Sequence, residues 1–225
     1  MRVAVFDLDG TLADTSADLI AAANAALDET GFGAPLDAAG DRAHAFAGGR
    51  AMLRAGQARV AGAVDEAAVE AGYPRLLAHY AENIDRHTRS YDGVEAALDG
   101  LAAAGWGLAV CTNKPTDLAE TLLARLGLRA RFAAVLGADS LPVKKPDPRH
   151  LLEAIARAGG APGRAVLVGD TATDRDAARA AGVACVLVSF GPEGPGIAAL
   201  APEALLDHFE ALPGLLERLI PVSGG

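Results

Sequence analysis

Five short runs of valine, alanine, leucine and other apolar residues punctuate the chain: Arg2 to Phe6, Leu108 to Cys111, Ala133 to Leu136, Ala165 to Val168 and Val183 to Val188. They are apolar nearly throughout rather than alternating, the pattern of strands covered on both faces. Between the last four lie helical patterns. Strands of that kind alternating with helices form a parallel sheet. The spacing therefore predicts an α/β fold, with helices packed on both faces of the sheet.

One interval breaks the rhythm. From about residue 15 to 88 there is hardly any strand signal, whereas Leu19, Ala23 and Leu27, and later Leu76, Leu77, Tyr80 and Ile84, recur at helical spacing. Ser16 is a suitable N-cap for the first of these helices and Gly31 a suitable terminator. The organisation expected is a sheet domain made of residues 1–14 and 89–225, interrupted by a small helical domain at 15–88. The sheet domain resumes near Tyr91-Asp92-Gly93, with a helix from Val94 to Ala104 stopped by Gly105. Ser223-Gly224-Gly225 is expected to fray.

Composition narrows the class of partner. A formal charge of -9 opposes binding to nucleic acid, and no basic stripe is present. No apolar run approaches the roughly 20 residues needed to cross a bilayer, and no leader precedes Val3, so a soluble cytoplasmic protein is expected. Cys111 and Cys185 lie inside apolar runs and read as core thiols rather than as a disulfide or zinc site. The five histidines show no metal-ligand spacing. Only three lysines occur among the 20 basic residues, Lys114, Lys144 and Lys145. In a chain that otherwise uses arginine, they stand where a compact point charge is useful.

The chemistry-bearing residues follow the apolar runs. Asp7 and Asp9 flank Leu8 at the end of the first run, where open parallel sheets bind ligands. Two carboxylates so close suggest a metal, acid/base chemistry, or both. After the second run, Thr112-Asn113-Lys114 offers a hydroxyl, an amide and a cation before a helix, in which Asp117 and Glu120 have capping-box spacing. After the third, Lys144-Lys145-Pro146-Asp147-Pro148 holds two cations in a loop stiffened by proline. After the fourth, Asp170 and Asp174 stand four residues apart at a helix entry. Each segment alone has an ordinary structural explanation; four in succession at strand ends form a set.

That set resembles the haloacid dehalogenase superfamily. Asp7-Leu8-Asp9-Gly10-Thr11 looks like its first motif, Thr112 its second, Lys145 its third, and Gly169-Asp170 through Asp174 its fourth. The insertion after the first motif is similar to the family's helical cap, and Thr112-Asn113-Lys114-Pro115 with Lys145-Pro146-Asp147-Pro148 looks like the phosphoglycolate phosphatase branch. The resemblance implies a Rossmann-like core and a Mg²⁺-dependent phosphatase acting on a small phosphate ester such as 2-phosphoglycolate. It implies that Asp7 is a nucleophile forming an aspartyl-phosphate, and Asp9 a general acid and base. Mg²⁺ would be held by Asp7, the Asp9 carbonyl and Asp170, with Asp174 behind them. Thr112 and the Asn113 backbone would hold phosphoryl oxygens, and Lys145 would neutralise charge. In the cap, Arg50 of Gly48-Gly49-Arg50 is a candidate contact for a substrate carboxylate.

Two other activities fit parts of this pattern. A β-phosphoglucomutase-like phosphotransferase shares the core residues and differs mainly in what the cap admits. A phospho-aspartate signalling module also combines a parallel sheet, an acidic pocket, a threonine and a lysine, although the large insertion argues against it. Dehalogenation is disfavoured by the presence of Asp9, and Schiff-base chemistry by the lack of any lysine before Lys114. Oligomeric state is not legible.

Overall fold

A computed structural model of the chain describes residues 1–191 and 193–222. Ser223, Gly224 and Gly225, the expected frayed tail, lie outside the described residues. Two compact units are formed, one by Met1–Ala13 with Ser90–Gly225 and the other by Asp14–Arg89. The chain passes between them through two short extended segments, β2 (Ala13–Asp14) and β3 (Arg89–Ser90).

The first unit is built on β1 (Arg2–Phe6), β4 (Trp106–Cys111), β5 (Ala134–Leu136), β6 (Ala165–Gly169), β7 (Ala184–Val188) and β8 (Ala204–Leu206). They lie in the order β5-β4-β1-β6-β7-β8, and every neighbouring pair is parallel. The last strand was not foreseen. Its three residues carry too little pattern to be told from a turn, and they become a strand by pairing with Val186 to Val188.

Uniformly apolar strands need cover on both faces. On one face Val3, Val5 and Leu167 pack with Leu151 and Ile155 of α7 (Pro148–Arg157) and Ala178 of α8 (Ala172–Ala181). Residues of the opposite register, Ala4, Phe6, Leu108, Val110, Val166 and Val168, are equally buried. The remaining helices of this unit are α5 (Val94–Ala103), α6 (Thr116–Arg125) and α9 (Leu212–Leu219); α5 runs along β4 and α6 along β5. Helix α5 buries Val94, Ala97, Leu98 and Leu101, one stripe at helical spacing. Each fully buried valine or leucine of this kind contributes about 1.5–3 kcal/mol relative to exposure. Cys111 and Cys185 are buried free thiols, each pushed up to about 12, mainly by burial.

The second unit contains α1 (Ser16–Glu29), α2 (Arg42–Phe46), α3 (Gly49–Ala61) and α4 (Glu66–Glu82). Helix α1 packs against α3 and α4. The N-cap position falls on Thr15 rather than Ser16, which becomes the first helical residue and donates its hydroxyl to Asp14 Oδ1 at 2.6 Å. Both the backbone N–H and the hydroxyl of Ser16 thus donate to the same Asp14 oxygen. Asp18, buried in α1, accepts the backbone N–H groups of His87 and Thr88 and the Thr88 hydroxyl. No helix among the described residues is long and apolar enough to cross a membrane.

Candidate active site

The sheet order sets three of the acidic and polar loops side by side. β1 lies between β4 and β6, with Phe6 in register with Val110 on one side and Val168 on the other. The residues that follow, Asp7, Thr112 and Asp170, therefore leave the sheet at one edge. Asp7 is still tied to it by its own N–H, which donates to the Val168 carbonyl at 2.9 Å.

Carboxylate oxygens of Asp7, Asp170 and Asp174 lie within 4.8 Å of one another. Lys145 joins them, its ammonium 3.1 Å from Asp7 Oδ1 and 2.6 Å from Asp174 Oδ1. Burial drives the Asp7 carboxyl up to about 6, against the opposing pull of Lys145, and Asp174 and Asp9 push the same way as burial. Asp170 is raised well above the usual carboxylate range by burial and then by Asp7 and Asp174. Burial alone would lower the Lys145 ammonium, but Asp174 and Asp7 outweigh it and its pKa rises. Three carboxylates around one lysine leave negative charge uncompensated in a buried place.

The hydrogen bonds divide these groups by task. Asp174 is fully engaged: Oδ1 takes Lys145, while Oδ2 accepts the Asp170 and Thr171 N–H groups and the Thr171 hydroxyl. Thr171 and Asp174 also form a capping box that starts α8, so the helix entry and the lysine share one anchor. Asp170 Oδ1 accepts the Thr11 hydroxyl at 2.7 Å, and its Oδ2 is buried with no partner among the described residues. Asp7 Oδ1 takes the Leu8 N–H at 2.7 Å as well as Lys145. A buried carboxylate oxygen without a donor is costly, and a hard cation held by Asp7 and Asp170 would satisfy it. The residues present therefore fit a divalent metal.

Close approach makes this packing possible. A Cβ on Gly169 would lie 2.4 Å from Asp174 Cγ, and one on Gly137 would lie 2.4 Å from the Thr116 nitrogen. Gly169→Ala is expected to displace the locked Asp174 side chain, at a cost of about 1–3 kcal/mol in thermal or urea unfolding. A melting temperature equal to that of the unsubstituted protein would show that the side chain yields freely.

On the other side of Asp7, the Asn113 side chain donates to the Lys145 carbonyl at 2.9 Å and so braces the loop that carries the lysine. Thr112 is buried, and its Oγ1 accepts the Lys114 N–H at 3.2 Å. Lys114 reaches across to Asp9, with its ammonium 2.8 Å and 3.0 Å from the two carboxylate oxygens. Lys144 is exposed. The Asp117-Glu120 capping box does not form. Pro115 starts α6 two residues earlier, the Thr116 N–H is taken by Asp139 Oδ1 at 2.9 Å, and Glu120 pairs with Arg129. In the other unit, Arg50 makes a two-pronged pair with Glu70 at 2.7 and 2.9 Å and lies over the Tyr73 ring.

Sequence reasoning left Thr11 without a role and did not pair Lys114 with Asp9. Thr11 stood inside a recognised motif, but a hydroxyl meeting a carboxylate 159 positions away leaves no local trace. The signal for Lys114 was its rarity as a lysine.

Residues 4–188 match the family model described as haloacid dehalogenase-like hydrolase. The phosphoglycolate phosphatase of Mesorhizobium japonicum is 42% identical to this chain over 223 residues, covering 99% of this chain and 98% of the relative. That of Rhodospirillum rubrum is 40% identical over 215 residues, covering 94% and 89%. The crystal structure of a predicted phosphoglycolate phosphatase from Haemophilus somnus superposes with a TM-score of 0.85 at 28% identity, covering 96% of this chain and 97% of that one.

Proposed function

Because the chain belongs to the haloacid dehalogenase-like hydrolases and is a phosphatase of that family, we propose that it hydrolyses a small phosphomonoester, with 2-phosphoglycolate the first candidate, through a phosphorylated Asp7 and with Mg²⁺ at the acidic cluster. The observation that carries this reading is the convergence of Asp7, Asp170, Asp174 and Lys145 at the end of β1, with one Asp170 oxygen left without a partner among the described residues.

Asp7 is the nucleophile. Its Oδ1 is held by Leu8 N–H and Lys145, which fixes the carboxylate plane and leaves Oδ2 to attack phosphorus. Lys145 draws charge from the phosphoryl group and the nucleophile together, and Asp174 keeps it in place. Thr112 Oγ1 already accepts a hydrogen bond, so its own proton can be directed to a phosphoryl oxygen. The Asn113 side chain is spent on the Lys145 loop, which leaves its backbone N–H for the same purpose. Asp9 protonates the leaving oxygen, then takes a proton from the water that hydrolyses the phospho-aspartate. Asp7, the Asp9 carbonyl and Asp170 would hold the Mg²⁺, which when bound neutralises phosphoryl charge and orients the phosphate.

The helical unit would serve as the cap that selects the leaving group, and Arg50 would be its contact for a substrate carboxylate. To make that contact the guanidinium would exchange Glu70 for the substrate, a trade between two similar charge-assisted pairs. The protein is expected to act in the cytoplasm on metabolites.

Phosphate release from a panel of monoesters with Mg²⁺, ranked by kcat/KM, tests the function. A carboxylate-bearing two-carbon ester at the head of the ranking supports it, and hexose bisphosphate formation instead of free phosphate would point to a phosphotransferase. No turnover of any monoester would end the phosphatase reading. In the same assay Arg50→Ala should raise KM for 2-phosphoglycolate by about 10-fold or more while leaving p-nitrophenyl phosphate nearly unchanged. Equal effects on both would return Arg50 to a brace between α3 and α4.

A further inference from the structure

The Lys114 side chain is almost as buried as that of Lys145, with 3% of it exposed, but the carboxylate it pairs with is not one of the two that Lys145 holds. Its ammonium instead contacts both oxygens of Asp9, the carboxylate on the opposite side of Leu8. We propose that Lys114 is a positioning residue for Asp9, which fixes the direction from which that carboxyl meets the leaving oxygen and the attacking water. This inference rests on the reading of Asp9 as the proton-transfer group of a phosphatase.

The backbone around Lys114 is built to hold such an arm. Its N–H donates to Thr112 Oγ1 at 3.2 Å, and its carbonyl accepts the Ala138 N–H at 2.9 Å. The loop can lie this close to the end of β5 because residue 137 is glycine; a Cβ there would sit 2.7 Å from the Lys114 carbonyl oxygen. With both ends of the peptide unit pinned and the stem buried, the usual rotamer freedom of lysine is lost before substrate arrives. Asp9 needs this support. Its side chain is 18% exposed, against 0% for Asp174, and it follows the end of β1 in a tight coil where the Leu8 carbonyl accepts the Leu12 and Ala13 N–H groups. Among the described residues, the hydrogen bonds that hold the Asp9 side chain come from Lys114. A carboxyl that must serve two successive proton transfers gains from having one orientation, since small misplacements of a catalytic group are expensive in rate.

Thr112 and Lys114 thus share one hydrogen bond but face different partners. Thr112 is placed for the phosphoryl group and Lys114 for the residue that handles the departing alkoxide. The two halves of the reaction, phosphate binding and proton transfer, meet at a single two-residue step after β4.

The test is a double-mutant cycle on the full chain with Mg²⁺, using Lys114→Met, Asp9→Asn and the pair, each assayed on an alkyl phosphate and on p-nitrophenyl phosphate. Methionine retains the length and apolar stem without the charge. The expected result for Lys114→Met is a fall in kcat of about 10- to 10²-fold on the alkyl ester, a much smaller fall on the phenyl ester, and little change in KM. In the Asp9→Asn background the same substitution should add almost nothing, because its effect passes through Asp9. Lys114→Arg, which keeps the charge, should recover part of kcat. If Lys114→Met does not fold, Lys114→Gln completes the same cycle. An undiminished effect in the Asp9→Asn background, or equal losses on both esters, overturns the positioning role while leaving the phosphatase standing. Full alkyl-ester turnover by Asp9→Asn alone overturns the reading of Asp9 itself.

Discussion

Asp7→Asn should abolish turnover, lowering kcat by more than about 10⁴-fold, and should leave no phosphorylated protein. A carboxamide oxygen is a poor nucleophile, and no other carboxylate can replace it without rearrangement. Asp174 is committed to Lys145 and the entry of α8, and Asp170 Oδ1 to Thr11. The loss should not come from unfolding. Asp7 is one of three crowded carboxylates, and its pKa, raised from 3.8 to about 6, means that its charged form destabilises the metal-free fold as pH rises through that window. In chelator at neutral pH, Asp7→Asn should therefore melt no lower than the unsubstituted protein. Rapid-quench mass spectrometry of the unsubstituted protein should find a hydroxylamine-labile phosphoryl group on the peptide that carries Asp7. Label on Asp9 instead, or appreciable turnover by Asp7→Asn, would remove Asp7 as nucleophile.

Much of the sheet was legible because buried parallel strands are written as short, uniformly apolar runs, and this chain separates most of them with glycine-stopped helices. Strand β8 escaped because three apolar residues between Pro202 and Asp207 have no period of their own. Its identity as a strand comes from β7, a partner outside the local window. The site divides in the same way. Strand-end placement was enough to bring Asp7, Thr112 and Asp170 to one edge, since strand order and parallel direction decide it. What each side chain does with its hydrogen bonds was not readable, because those partners come from other loops. Thr11 reaches Asp170, Asn113 reaches the Lys145 carbonyl, and Lys114 reaches Asp9. The expected capping box at Asp117 failed for a local reason, since a proline two residues upstream starts the helix sooner.

Removal of metal should stop the reaction as completely as loss of the nucleophile, and it should also be visible without any assay of turnover. Asp170 Oδ2 is buried without a donor among the described residues, beside the raised carboxyl of Asp7. A divalent cation binding there relieves both penalties in the folded state and has no comparable site in the unfolded chain. Mg²⁺ at about 100 times its Kd should therefore stabilise the protein by about 2.7 kcal/mol, a rise in Tm of about 5–10 °C for a chain of this size. Asp170→Asn keeps the shape and retains an acceptor for the Thr11 hydroxyl, but it removes the charge that faces the cation. That variant should lose most of the Mg²⁺-induced shift while its Tm in chelator equals or exceeds that of the unsubstituted protein, because one of three crowded carboxylates is gone. Ca²⁺ should restore little turnover after chelation, since its longer and more flexible coordination would misplace Asp7 against phosphorus. Turnover that survives rigorous chelation, or a Mg²⁺ shift in Tm undiminished by Asp170→Asn, would show that the cluster does not hold the catalytic metal.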